Sequence, residues 1–238
     1  RGSDLFESIS DDYITAMLLG SILLAPLGLN ALVYPLLLGA VGIISTIIGI
    51  FATRQYGKMK PLTSFGIGLI ISAIISIIGA YFVTITTIGD VRVFYAVVSG
   101  LLASLAVGLV VQYYIGINSG PVRKVAESCE YGSALTIITG LGYALQSPFI
   151  PYVSILVVTL FSWWITGGSL YGLVAANIGT DLAIGMVMSS DAFGPISDNA
   201  QGIAEMSGIK TDMVALEELD AAGNTTKAFT KAFATASG

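Results

Sequence analysis

Two long stretches without a charged residue constrain the fold of this chain more than any other feature of its sequence. They read LNALVYPLLLGAVGIISTIIGIFA at 29–52 and SFGIGLIISAIISIIGAYFVTITTIG at 64–89. About 20 consecutive apolar residues allow an α-helix to cross the hydrocarbon core of a bilayer. Only helix bundles and closed β-barrels pair every backbone polar group there, and barrel strands alternate in polarity. The sequence therefore predicts an all-α, multi-span integral membrane protein.

Composition supports a lipid environment. Hydrophobic residues make up 55% of the 238 residues and charged residues only 11%, whereas soluble domains carry about 25% charged residues. The net charge of −5 and the lack of a basic tail argue against nucleic acid as a partner. A single cysteine, Cys129, and no histidine exclude a disulfide framework and a zinc site.

The chain is interpreted as one transmembrane helical domain, 1–238, with cytoplasmic loops near 54–61, 118–132 and 192–214. We predict spans near 8–29, 31–53, 62–88, 93–117, 149–168 and 169–190, with another beginning near 215. The piece 133–147, which is followed by Pro148, is ambiguous by itself. Basic residues favour the cytoplasmic side, and their positions prefer six complete spans and a seventh cut short. Segments 133–147 and 149–168 then form one broken helix, or the first stays near the cytoplasmic face.

Three acidic residues share one face of the first predicted span. Asp4, Glu7 and Asp11 are spaced three and four apart, which aligns them on a helix. A solvated helix N-terminus, where acids suit the helix dipole, is one interpretation for Asp11 and its neighbour Asp12. For Asp4 and Glu7 the shared face favours a lined cavity.

Further polar residues follow the sixth predicted span. Asp191 and Asp198 are seven apart in SSDAFGPISDNAQGIAEMSGI, which is either a polar loop or a site for a hard cation such as magnesium. Beyond it, a 4-3-4 spacing predicts one polar stripe on an otherwise Ala, Thr and Phe helix. The stripe consists of Asp220, Asn224, Lys227 and Lys231.

The lysines of this stripe and Asp181 need different explanations. A lysine at the bilayer centre costs at least about 2.5 kcal/mol. Lys227 can snorkel, whereas Lys231 would more naturally face a bundle interior. Asp181 lies mid-membrane, where an acid is functional by default, but a protonated structural acid is the alternative. No partner for it follows from the sequence.

Two long motifs, DAFGPISDNAQGIAEMSGI and LDAAGNTTKAFTKAF, closely resemble paired signatures of the membrane-bound, ion-translocating pyrophosphatases. The starting GSDLFES and the connector GPVRKVAESCEYGSA resemble the same family. The resemblance implies a homodimer of sixteen-helix subunits, of which this chain would form the sixth to most of the twelfth helix. It also implies magnesium-dependent hydrolysis of pyrophosphate at the cytoplasmic face, coupled to outward H⁺ or Na⁺ transport.

The resemblance assigns roles residue by residue. It makes Asp198 and Asn224 magnesium-site residues, Asp198 and Lys231 catalytic, and Lys231 the pyrophosphate ligand. Asp4 and Glu7 would form the ion gate. Further acidic motifs of the family are missing from this chain, which we expect to be a piece of a longer protein and inactive alone.

The resemblance also bears on the cations. Family members with lysine at position 227, usually with threonine at 230, need no K⁺, and this chain has Lys227 and Thr230. Combined with Glu7 this favours a proton pump, with a Na⁺ pump as the alternative because Asp11 adds a second acid near the gate. A secondary transporter or channel is the contrasting class. We expect a prokaryotic plasma membrane, with an acidic organelle membrane as the alternative.

Overall fold

A computed structural model describes the backbone of residues 2–23, 28–55, 59–116, 118–208 and 213–237. Side chains are described for 10–23, 28–30, 32–55, 59–116, 118–208 and 214–230. The side chains of Asp4, Glu7 and Lys231 lie outside this described part, although their backbone belongs to helices.

The described residues are helical, with short connections and no strand, as the predicted all-α class requires. The helices are α1 (Gly2–Leu23), α2 (Leu29–Gln55), α3 (Pro61–Thr87), α4 (Val91–Ile115), α5 (Gly120–Ser128), α6 (Ser133–Gln146), α7 (Phe149–Ile165), α8 (Leu170–Asp181), α9 (Ile184–Ser207) and α10 (Met213–Ser237). A short 3₁₀ turn, Cys129–Tyr131, joins α5 to Gly132.

Five stretches of the described chain are long and apolar enough to cross a membrane. They are Leu32–Gln55, Pro61–Thr87, Val91–Tyr131, Ser133–Ile165 and Leu170–Ser207. The fourth stretch combines α6 and α7 across Pro148, the arrangement that a single broken crossing needs. The predicted spans over α1, which carries four acidic residues, and from 215 onward stay predictions.

The segment 192–214, predicted as a cytoplasmic loop, is helical over most of its length, because α9 continues to Ser207. Its Gly and Ser content suggested a loop, but small residues also permit close helix packing within membranes. Gly194 of α9 contacts α10 in this way. The helix ends at Gly208, whose φ of 65° is left-handed. The predicted loop near 118–132 likewise contains α5, capped by the Ser119 side chain.

Helix α8 lies at the centre of the described bundle. Its side chains Tyr171, Ala175 and Ile178 are at most 1% exposed. It packs against α4 so closely that a Cβ atom on Gly179 would stand 2.9 Å from the Val97 Cα. The centre of the bundle is therefore shaped by backbone approach as much as by large side chains.

A helix break interrupts the fifth apolar stretch. Helix α8 ends at Asp181 and α9 starts at Ile184, so the chain turns at Leu182 and Ala183. The Ser76 hydroxyl of α3 donates to the Leu182 carbonyl over 3.3 Å. A neighbouring helix thus satisfies a backbone group that the break frees, as irregular backbone within a membrane requires.

Candidate functional site

Glycines bring α9 and α10 together. A Cβ on Gly194 would stand 2.9 Å from the Gly223 carbonyl oxygen and 2.7 Å from the Lys227 Cε. Gly194 therefore cannot be replaced by a larger residue unless the two helices move apart. This approach places the polar stripe of α10 directly against the second half of α9.

The Lys227 ammonium joins the two helices. It donates to the Asp198 Oδ2 over 2.8 Å and to the Asn224 Oδ1 over 3.0 Å. The Lys227 side chain is 13% exposed, whereas that of Asp198 is 57% exposed. The structure thus brings together Asp198 from one predicted motif with Asn224 and Lys227 from the other.

Asp220 extends this group. The Asn224 side-chain amide donates to the Asp220 Oδ2 over 2.9 Å. The Asp220 and Asp198 carboxyl groups lie within hydrogen-bonding reach of each other. Asp220 belongs to the predicted stripe but not to the predicted site residues. Its spacing of four before Asn224 is the signal that identifies it. We call Asp198, Asp220, Asn224 and Lys227 the α9–α10 cluster.

Thr230 lies one turn beyond Lys227 and is 3% exposed. Its hydroxyl donates to the Thr226 carbonyl over 2.9 Å, and the Thr226 hydroxyl donates to the Ser190 carbonyl of α9 over 3.3 Å. These threonines connect α10 to itself and to α9, so their described contacts position the helix that carries Lys227.

The chemistry of the α9–α10 cluster fits part of a magnesium site. Two carboxylates and an amide supply the oxygen ligands that this ion prefers. Among the described residues the Asp220 Oδ1 is buried without a hydrogen-bond partner. No group of three or more His, Cys, Asp or Glu side chains converges within the described part of the chain, so further ligands would come from elsewhere.

Asp191 does not join Asp198 at one ion. The two residues are separated by two turns of α9, about 10 Å of helix rise, and Asp191 is buried with 6% exposure. The prediction that both carboxylates share a cation site on a polar segment therefore fails, because the segment is a continuous helix.

A second polar group lies between α1 and α8. Asp12 is within hydrogen-bonding reach of Asn177 and acts electrostatically on Asp181 and on Tyr13. Asp181 is 2% exposed. Sequence reasoning noted both acids but not their proximity, since no spacing rule links two distant helices. We call Asp12, Tyr13, Asn177 and Asp181 the mid-membrane cluster.

An exposed ion pair lies at the start of α4. Arg92 donates to both oxygens of Asp90, with 2.9 Å between its Nη2 and the Asp90 Oδ2. Asp90 also caps α4 by accepting from the Arg92 backbone N–H. The hydrogen bonds from the Arg92 side chain lower the pKa of the Asp90 carboxyl.

Comparison with known proteins agrees with these motifs. A family model described as inorganic H⁺ pyrophosphatase matches residues 1–238. The chain is 37% identical over 240 residues to a K⁺-insensitive pyrophosphate-energized proton pump of Methanosarcina mazei, covering 98% of this chain and 36% of that protein. It is 36% identical to a putative K⁺-stimulated pyrophosphate-energized sodium pump of Clostridium tetani, covering 98% of this chain and 35% of that protein.

A further relative is a K⁺-insensitive pyrophosphate-energized proton pump of Moorella thermoacetica, with 35% identity over 98% of this chain and 36% of that protein. The chain thus spans about a third of the length of these curated relatives. The match over the whole chain, the apolar helices and the paired motifs all agree. The chain belongs to the inorganic H⁺ pyrophosphatase family of integral membrane proteins.

Proposed function

We propose that the full-length protein is a pyrophosphate-energised proton pump that needs no K⁺. It would hydrolyse pyrophosphate to two phosphates at the cytoplasmic face with Mg²⁺ and export protons across a prokaryotic plasma membrane as a homodimer. Family membership and the names of the relatives support the pump class. The contacts of Lys227 support the finer assignment.

The observation that carries the proposal is the position of the Lys227 ammonium. It lies between the Asp198 carboxylate and the Asn224 amide oxygen, where a bound monovalent cation would otherwise neutralise charge. A tethered ammonium does the same electrostatic work without a diffusible ion. Overall identity is nearly equal to the proton pump of Methanosarcina mazei and to the putative sodium pump of Clostridium tetani. The local contact of Lys227 therefore decides the choice: it favours K⁺ independence, and K⁺ independence favours protons.

The remaining site residues take their roles within this proposal. Asp198 and Asn224 would hold Mg²⁺, which when bound neutralises pyrophosphate charge and stabilises the departing phosphate. Lys231 would bind pyrophosphate and stabilise charge on it. Asp4 and Glu7, on the first helix, would gate the ion.

Membrane vesicles containing the full-length protein test the proposal. Inverted vesicles should hydrolyse pyrophosphate only with Mg²⁺ and should acidify their interior without added Na⁺. Acidification that requires Na⁺ would instead support the sodium-pump alternative. Absence of magnesium-dependent hydrolysis at every pH would support a secondary transporter or channel and would overturn the pump.

A further inference from the structure

The depth of the mid-membrane cluster follows from the position of Asp181 along α8. Asp181 follows Leu170, the start of α8, by about 16 Å of helix rise, and Asp12 of α1 interacts electrostatically with Asp181. The predicted alternation of spans puts the start of α8 on the outer side. Both carboxyl groups therefore lie near the middle of a hydrocarbon core about 30 Å thick.

Each of these acids has an oxygen without a partner. Asp181 is 2% exposed, and within the described residues neither the Asp181 Oδ1 nor the Asp12 Oδ2 has a hydrogen-bond partner. No lysine or arginine among the described residues forms an ion pair with either acid. Buried polar atoms are nearly always satisfied, and an orphan oxygen calls for an explanation such as a bound ion.

The break between α8 and α9 adjoins this pair. Asp181 is the last residue of α8, so its carboxyl group lies where two half-helices end. The Thr46 hydroxyl, which lies against Gly185 in the first turn of α9, is also buried without a partner among the described residues. Discontinuous helices at the bilayer midplane are where transporters bind their ions.

Electrostatics limits what this pair can hold. Two ionised carboxylates close together in a low-dielectric interior repel each other strongly, so at least one must be protonated or paired with a cation. Asp12 acts on Asp181, and Asp11 acts in turn on Asp12. Tyr13 interacts with both members of the pair, whereas Asn177 supplies a neutral amide. The missing partner is therefore a small cation.

We propose that Asp12 and Asp181 form a proton-binding carboxyl pair that holds the transported ion midway through the membrane. The proposal deepens the assigned proton pump and rests on it. The step is proton transfer alone: an O–H bond forms on one carboxylate as the proton arrives, and the same bond breaks as it leaves outward. The negative charge of the second carboxylate favours the protonated form of the first.

Transport and hydrolysis measured together test this role. Asp181→Asn and Asp12→Asn keep side-chain size but remove the exchangeable acid, so the number of protons moved per pyrophosphate hydrolysed should fall to background. Asp90→Asn, which removes an acid outside the clusters, should leave that ratio unchanged. An Asp181→Asn protein that pumps with the wild-type ratio would overturn the proposal.

Chemical labelling of the wild-type protein keeps the test independent of variant folding and of pyrophosphate. A hydrophobic carbodiimide adds to a protonated buried carboxyl and leaves an N-acylurea, which mass spectrometry locates. We expect labelling at Asp12 or Asp181 that declines as pH rises and is insensitive to Na⁺. Protection by Na⁺, or labelling at neither acid, would overturn the proton site. Labelling with no pyrophosphate hydrolysis would leave the site intact and reject only the pump.

Discussion

The α9–α10 cluster and the mid-membrane cluster both contain two carboxylates and an amide, but they differ in how charge is neutralised. In the first, the Lys227 ammonium touches both Asp198 and Asn224. In the second, no described lysine or arginine reaches Asp12 or Asp181. A fixed cation makes a permanent site, whereas a carboxyl pair without one can exchange its cation. The comparison separates a group proposed to hold Mg²⁺ from a group proposed to pass an ion.

The two clusters also differ in how far their carboxylates are exposed. Asp198 is 57% exposed and Asp181 is 2% exposed. An exposed carboxylate stays charged at little expense, whereas burial strongly disfavours the ionised form.

The largest effect is expected at Asp198. Asp198→Asn removes the carboxylate that Lys227 contacts and that would hold Mg²⁺, so pyrophosphate hydrolysis by the full-length protein should fall by about 100-fold or more, as for loss of a preorganised charge-stabilising group. Hydrolysis is measured in membranes at saturating Mg²⁺. Glu130→Gln, which changes an exposed acid of the 3₁₀ turn, should retain wild-type activity. Equal activity of the two variants would remove Asp198 from the site.

An intermediate effect is expected from a change that shifts Lys227 without altering it. An alanine Cβ at Gly194 would stand 2.7 Å from the Lys227 Cε, so Gly194→Ala should displace the ammonium and cost about 1–3 kcal/mol through overpacking. Hydrolysis should become partly stimulated by K⁺. Gly202→Ala on the same helix meets nothing within 4 Å and should stay K⁺-insensitive. A K⁺ response in both variants, or in neither, would break the proposed link.

The smallest effect is expected at the exposed Asp90–Arg92 pair. Asn caps helices about as well as Asp, so Asp90→Asn isolates the contribution of an exposed ion pair, which is small because solvent screens it. Because the folded state lowers the Asp90 pKa, its stabilisation is present above the pKa of the unfolded state and is lost as pH falls through the folded value. Thermal unfolding should show a small difference from wild type at neutral pH that vanishes in acid. A difference that grows in acid would contradict the pairing.

Much of the fold could be predicted because lipid imposes simple rules. Uniformly apolar runs predicted α2, α3 and α4, and Pro148 predicted the division between α6 and α7. The helix over 192–207 could not be identified, since Gly194 and its small neighbours have the composition of a loop until α10 is known to pack against them. Propensity favours a turn there, but close helix contact prevails.

The site was only partly predictable, for a related reason. A 4-3-4 spacing places Asn224 and Lys227 on one face of a helix, so local geometry was sufficient for them. The contact between Lys227 and Asp198 joins residues 29 positions apart. Asp12 and Asp181 are further apart in the sequence, since one lies in α1 and the other in α8. Such contacts depend on tertiary packing, which no local pattern in one sequence encodes.

The response of hydrolysis to K⁺ in Lys227→Ala tests the central claim most directly. The claim is that a tethered ammonium replaces a diffusible cation in the α9–α10 cluster. Membranes containing the full-length protein are prepared without K⁺, and hydrolysis is measured as K⁺ is added. The wild type should be fully active at every K⁺ concentration, including zero. The control Lys124→Ala, which changes an exposed lysine of α5, should behave in the same way. Lys227→Ala should be inactive without K⁺ and should recover as K⁺ is added. Full activity of Lys227→Ala without K⁺ would contradict the account.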